Sequence, residues 1–175
     1  MSELRTNRIV PRDGLVSGTG VGGGIIQVRQ GTLTSKFNTA SSTMVDSGLS
    51  VTITPTRSDS KILVQVSLGS LSNSGRYKRA FMNIVRGSTN VITGDAATGE
   101  EVTAALNTRS ADDNHTQVPV SFMVLDSPAT TSATTYKVQL SRGSDSGTVY
   151  LNGSAGADAY AGNAASTIIV MEVSG

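Results

Sequence analysis

The chain has no cysteine, no tryptophan and a single histidine, and only three phenylalanines and four tyrosines among 175 residues. Without Cys there is no disulfide framework and no thiolate zinc site. The lone His115 leaves a zinc centre without its usual nitrogen ligands, and no G-x-S-x-G turn supplies a strained serine for a Ser-His-Asp triad. Charge is scarce as well: charged residues make up 15%, and 14 Lys and Arg against 13 Asp and Glu leave a net charge of +1. That balance, with no basic run, argues against a nucleic-acid binder. Long apolar runs are missing too. The opening Met1, Ser2, Glu3, Leu4, Arg5 leads into none, so neither a secretory signal nor membrane insertion is expected, and synthesis in a cytoplasm is. A core so short of aromatics leaves apolar strand faces for a second copy to cover. Self-association, as a homotrimer, is therefore expected.

What the chain does have is glycine, serine, threonine and period-2 alternation. Leu49, Val51 and Ile53 alternate with Ser50, Thr52 and Thr54; Ile62, Val64, Val66 and Leu68 alternate with Lys61, Gln65 and Ser67. A period of two puts one apolar row on a core face, so these are two half-buried strands. The link from Pro55 to Ser60 is turn chemistry, and the whole stretch reads as a β-hairpin. Further strands are expected at Ile25–Gln30, at Lys78–Arg86 bringing Phe81 into the core, at 118–126 with Val118, Val120, Phe122 and Val124 on one face, and in the segments TYKVQLS, TVYLNGS and STIIVMEV. Lys36 to Val45 reads as a polar connection with Phe37 and Met44 pointing inward. Residues 94–116 read as a long surface loop, with one or two helical turns between Glu100 and Leu106. About eight strands with turns at this spacing make an all-β, antiparallel jelly-roll sandwich.

Residues 1–24 form a separate unit. Leu4, Ile9, Val10 and Leu15 stand among Arg5, Arg8 and Arg12, broken by Pro11 and Gly14, which suits an extended docking arm that does not fold alone. The run from Gly18 to Gly24 is a flexible linker by composition. It matches G-x-G-x-x-G, but no strand precedes it and no helix follows, so a dinucleotide site is not expected. The head then spans 25–175.

The segments LRTNRIVPRDGL, GGGIIQV, VDSGLSVTITPTRSDSKILVQVSL, IVRGSTNVITGDA, LDSPATTSATTYKVQL and STIIVMEV, in that order over nearly the whole chain, resemble virion structural proteins of tailed phages, marine and cyanobacterial ones of the tail-fibre type. The β-domain resembles the trimeric jelly-roll heads of the complement and tumour necrosis factor superfamily. The resemblance implies a non-enzymatic, homotrimeric tail fibre or fibre tip in the virion. It implies an arm (Leu4, Arg5, Arg8, Ile9, Val10, Leu15) docked on other tail or capsid proteins, and a head that meets a host surface glycan or protein. Capsid decoration, or a head fibre, is the alternative within the same class.

The candidate chemistry is sparse. Ser58-Asp59-Ser60-Lys61 matches S-x-x-K, a motif that works at a helix start, whereas this one sits in a turn. Asp95, Glu100, Glu101, Asp112 and Asp113 gather acid in the 94–116 loop without a D-x-D-x-D-G spacing, so no metal and no cofactor is assigned. Arg76, Tyr77, Lys78 and Arg79 set an aromatic among cations, the pattern of a surface that meets acidic glycans or phosphates; the competing explanation is an edge strand guarded by charge. Tyr160, among small residues, could present a rigid contact or cap the core. The sequons at Asn114 and Asn152 carry no meaning in a cytoplasmically made chain. Receptor-contact candidates are accordingly Arg76, Tyr77, Lys78, Asp112, Asp113 and His115. A glycan depolymerase is the remote alternative: it needs two carboxylates on rigid elements, and Glu172 is the clearest strand carboxylate.

Overall fold

The computed structural model describes residues 24–95, 104–109, 116–144, 146–155 and 162–174. Among them are eleven strands and no helix: β1 (Ile25–Leu33), β2 (Phe37–Thr39), β3 (Val45–Ile53), β4 (Lys61–Asn73), β5 (Arg79–Arg86), β6 (Thr89–Asn90), β7 (Leu106–Arg109), β8 (Gln117–Asp126), β9 (Thr134–Arg142), β10 (Val149–Leu151) and β11 (Ser166–Val173). One sheet runs β1-β11-β4-β8, with β10 continuing the β11 side of β4 and β2 pairing β10; the other runs β3-β9-β5, with β6 and β7 side by side along β5. All pairings are antiparallel. Counting β6 and β7 as one broken strand, and leaving out the short β2 and β10, eight strand positions remain. They fall into the sheets as 1-8-3-6 and 2-7-4-5, the strand order of a jelly roll built from two Greek keys.

The stretch 49–68 is not a hairpin. β3 pairs β9 while β4 pairs β8, β10 and β11, so the Pro55–Ser60 link carries the chain from one sheet to the other. Its alternation is nonetheless real. Leu49, Val51 and Ile53 from one sheet and Ile62, Val64, Val66 and Leu68 from the other are buried in a single core, with Met82, Ile84, Val138, Leu140, Ile168 and Val170. Period-2 patterning names the buried face of each strand and is silent on the partner. Phe81 is likewise buried but does not join that core: Ala80, Met82 and Ile84 form the core row of β5, and Phe81 alternates with them. Val120, Phe122 and Val124 do face the core as the alternation suggests, whereas Val118 is exposed. Phe37 packs against the core from a short strand, β2, inside the expected connection. The expected 94–116 loop contains β7, and Leu106 opens that strand; residues 96–103 and 110–115 lie outside the described residues.

At the first corner the sheets approach so closely that only glycine fits. A Cβ at Gly31 would lie 1.9 Å from the Ser50 carbonyl oxygen. Two buried carboxylates secure the end of the sandwich where Gly24 enters. Asp126, at the end of β8, accepts from Arg86 Nε (2.7 Å) on β5 and from the Tyr136 hydroxyl (2.8 Å) on β9, which ties one sheet to the other. Burial and the neighbouring Asp126 charge push the Tyr136 phenol well above its ordinary range. Glu172, in β11, accepts from Gln27 Nε2 (2.6 Å) and from both the backbone N–H (2.7 Å) and hydroxyl (2.8 Å) of Thr56, pinning the inter-sheet turn to β1 and β11. Burial would raise this carboxyl, but the hydrogen bonds from Gln27 and Thr56 outweigh it and hold it down at about 2.

Two outcomes follow. Val64 is fully buried in the central strand, so Val64→Asp is expected to abolish folding, read by loss of the cooperative melt. Glu172 has a folded-state value below its unfolded one, so its contribution is complete above an unfolded value of about 4.3. It is lost as pH falls toward about 2. Urea midpoints measured from pH 6 to pH 2 should fall more steeply for the parent than for Glu172→Gln; parallel curves would contradict the assignment.

Candidate functional site

Two surfaces stand out once the sheets are placed, one polar at a pole and one apolar on a face. The polar one lies where β4 ends. After Asn73 the chain turns through Ser74 to Lys78 into β5, and Tyr77 occupies the left-handed region at φ 61°. A bulky residue adopts that conformation at a cost of about 1 kcal/mol, and such strain concentrates where a side chain must be presented. The Tyr77 ring is half exposed. Two guanidinium groups sit on it, Cζ of Arg76 at 4.8 Å and Cζ of Arg109 at 5.0 Å from the ring centroid. Arg109 Nε also donates to the Tyr77 carbonyl at 3.3 Å. Register explains the encounter: β5 and β7 pair with Arg79 opposite Arg109, so the last residue of β7 is delivered beside the turn that opens β5.

Below the cluster is a small recess lined by Leu71, Asn73, Thr108, Arg109, Thr116 and Val118, among others. Asn73 is buried, and its side-chain oxygen has no hydrogen-bond partner among the described residues. Arg109 and Thr116 thus lie at the same recess.

The second surface is the outer face of the β1-β11-β4-β8 sheet. Val28, Met171, Leu63 and Leu125 form one cross-strand row; Gln30, Ile169, Gln65 and Met123 form the next; and Ile25, Val173 and Lys61 flank them. Val28, Ile25, Met123 and Leu125 are 49% to 58% exposed. Lys61 is the one charged side chain in these rows. Solvent-facing rows of an antiparallel sheet are ordinarily polar, as the Thr32, Thr167, Ser67, Ser121 row here is.

Of the residues singled out in the sequence, Arg76, Tyr77 and Lys78 come together at the pole. Asp112, Asp113, His115 and Tyr160 lie outside the described residues, as do the arm positions Leu4, Arg5, Arg8, Ile9, Val10 and Leu15. The alternative explanation for the basic turn fails: β5 is paired with β9 on one side and with β6 and β7 on the other, so it is not an edge strand. Arg109 was invisible to sequence reasoning. It lies 32 residues from Tyr77, in a stretch without alternation, and no local pattern announces a contact made by strand pairing. The S-x-x-K match resolves into a turn in which Arg57 pairs with Asp59 at 2.7 Å and Lys61 Nζ donates to Ser127 Oγ.

No protein-family profile and no curated protein matches the chain. Among solved structures, one of infectious bursal disease virus, Gx strain, is similar at 15% identity with a TM-score of 0.36, over 85% of this chain and 39% of that one. The chain thus spans about two fifths of that protein's length.

Arg109→Ala is expected to cost less than about 1 kcal/mol of global stability, because the cation–π contact is exposed. It should nonetheless speed amide hydrogen exchange at Tyr77 and Lys78. Unchanged exchange there would show that Arg109 does not hold the turn.

Proposed function

We propose that this chain is a non-enzymatic structural protein of a tailed-phage virion, a homotrimeric tail fibre or fibre tip. Its N-terminal residues attach it to the particle, and the opposite pole contacts the host. The observation that carries the reading is the polarity of the sandwich. β1 begins beside Lys61, at the start of β4, whereas the Arg76–Tyr77–Arg109 cluster lies past Asn73 at its end. Thirteen residues of β4 at about 3.3 Å each separate the two by roughly 40 Å. On this reading the particle lies on the Gly24 side and the Tyr77 pole faces away from it. The order of segments resembling phage tail-fibre proteins supports the same placement.

The apolar face supports self-association. Its apolar rows run over four strands at about 4.8 Å spacing and some five residues of each, a footprint of roughly 300 Å², less than half of the ~800 Å² that each partner gives to a standard interface. An apolar patch of that size is often a contact surface. A rotation axis along the strands lets copies share it while every Gly24 stays at one pole and every Tyr77 at the other. Three-fold closure is the form that the resemblance to trimeric jelly-roll heads supports. A glycosidase would need two available carboxylates flanking the bond to be broken. The buried carboxylates Asp126 and Glu172 are instead committed to bonds that hold the fold.

Light scattering on the purified protein should give three times the 18.0 kDa chain mass. Leu125→Asp, on an exposed position, should yield a folded protein of a single chain mass, because the charge is tolerated in water and not in a buried interface. A parent protein that runs as a monomer at micromolar concentration removes the trimer. A chain starting at Gly24 should stay β-rich and trimeric yet fail to join particles; loss of folding would make residues 1–24 part of the head. Antibody labelling of intact particles places the protein on the tail or the capsid. Capsid labelling, with normal adsorption after its removal, replaces the fibre reading by decoration.

A further inference from the structure

We infer that Asn152 is a modification site, the seat of a water-driven deamidation that the closed sandwich withholds and that makes opening of the head irreversible. Asn152–Gly153 is the one Asn-Gly pair in the sequence. In such a pair the backbone nitrogen of the glycine residue, with no Cβ beside it, reaches the asparagine Cγ with little hindrance. A bond forms from that nitrogen to Cγ, the nitrogen's proton passes to solvent, and the Cγ–Nδ2 bond breaks, with Nδ2 leaving as ammonia. Water then opens the cyclic imide at either carbonyl and leaves aspartate or isoaspartate. No reactant other than water is consumed.

The structure sets this pair at a junction. Asn152 is fully buried just past β10, in the left-handed region at φ 61°, a conformation that asparagine tolerates better than most residues. Its Nδ2 donates to the carbonyls of Leu33 (2.8 Å) and Ser35 (3.2 Å), and its Oδ1 accepts from Ser166 Oγ (2.5 Å). Its backbone N–H donates to the Ser70 carbonyl (3.0 Å), and its own carbonyl accepts from the Ala164 N–H (3.3 Å). One residue thus joins the end of β1, the link after it, β4 and the entry to β11. The Gly153 carbonyl accepts in turn from Ser72 Oγ (2.7 Å). Ring closure expels Nδ2, so in the closed fold it forfeits the bonds to Leu33 and Ser35 inside a buried site, a cost that an exposed Asn-Gly pair does not meet.

The product does not fit the place. Both amide protons are given to main-chain carbonyls, whereas an ionised aspartate has acceptors only and would set its charge against the Leu33 and Ser35 oxygens. Isoaspartate also lengthens the main chain by a carbon between the groups that bond Ser70 and Ser72. The segment has little pairing to keep it shut: β10 has three residues, and its outer partner β2 has three as well. A head that opens here briefly can close again, and one held open long enough to lose the amide cannot.

The test follows the full-length protein at neutral pH and fixed temperature, folded and in urea, with peptide mapping of residue 152 for the amide-to-carboxylate mass change and for isoaspartate. Conversion in urea should be on the order of a hundredfold faster than in the folded protein. The refolding yield of the urea sample should fall in step with conversion, and the isolated deamidated fraction should not regain the parent's melt. Gly153→Ala, whose Cβ would lie 3.0 Å from Cδ of the flexible Lys36 side chain, should fold like the parent, deamidate about tenfold more slowly in urea and keep its refolding yield. Ser166→Ala removes one anchor of the amide and should speed conversion in the folded protein while leaving the rate in urea unchanged. Equal rates in urea and in the folded protein overturn the guard, as does an unchanged folded-state rate in Ser166→Ala. A deamidated fraction that refolds to the parent's melt, or a Gly153→Ala chain that loses refolding yield as fast as the parent, overturns the link between residue 152 and irreversibility.

Discussion

The structure depends on two aliphatic rows facing each other across the inter-sheet turn at Pro55–Ser60. Ile62, Val64, Val66 and Leu68 on β4 meet Leu49, Val51 and Ile53 on β3, and nearly every other core side chain is a Val, Ile, Leu or Met packed onto these two rows; among the described residues Tyr136 is the only fully buried aromatic of the core. Branched aliphatic side chains fit the pleated, half-buried surface of a strand and lose little on ordering. A core built from them is thin, so the sheets approach closely, as the Gly31 contact with the Ser50 carbonyl demonstrates.

Closure of so thin a sandwich falls partly to polar groups. Asp126 and Glu172 are buried at the same end, and each binds groups from separate parts of the chain: Arg86 and Tyr136 for the first, Gln27 and Thr56 for the second. Buried carboxylates are stabilising only when they are hydrogen-bonded; Oδ2 of Asp126 accepts two bonds here, and Glu172 accepts three across its two oxygens. Toward the far end the buried Asn152 side chain ties Leu33, Ser35 and Ser166 together, and the Tyr77 turn is held by cation–π contacts, by the Arg109 bond to its carbonyl and by the paired Ser74 and Thr148.

The outer face of the β1-β11-β4-β8 sheet adds a second asymmetry. Its apolar rows cost solubility unless covered, and the opposite choice was available, since Thr32, Thr167, Ser67 and Ser121 make a polar row two residues further along. Hydrophobicity is thus confined to part of one face, beside a hydroxylated remainder.

The amino-acid sequence determined by itself which residues are buried on each long strand, because the period of side-chain alternation is a property of the extended backbone and needs no partner. It determined the all-β class, through turn residues spaced too closely for helices, and it singled out Arg76, Tyr77 and Lys78 by composition. Only the tertiary structure decided which strands pair. Leu49–Leu68 has the local pattern of a hairpin and folds as an arch between sheets, since pairing is chosen by the global packing of eight strand positions and not by the turn alone. Phe81 shows the same limit on a smaller scale: it alternates with the core row and is buried elsewhere. The short β7, four residues with Leu106 as the single apolar side chain, exists because β5 offers it an edge. That pairing alone brings Arg109 to Tyr77, so the second cation of the cluster is a product of register, which no stretch of sequence encodes locally.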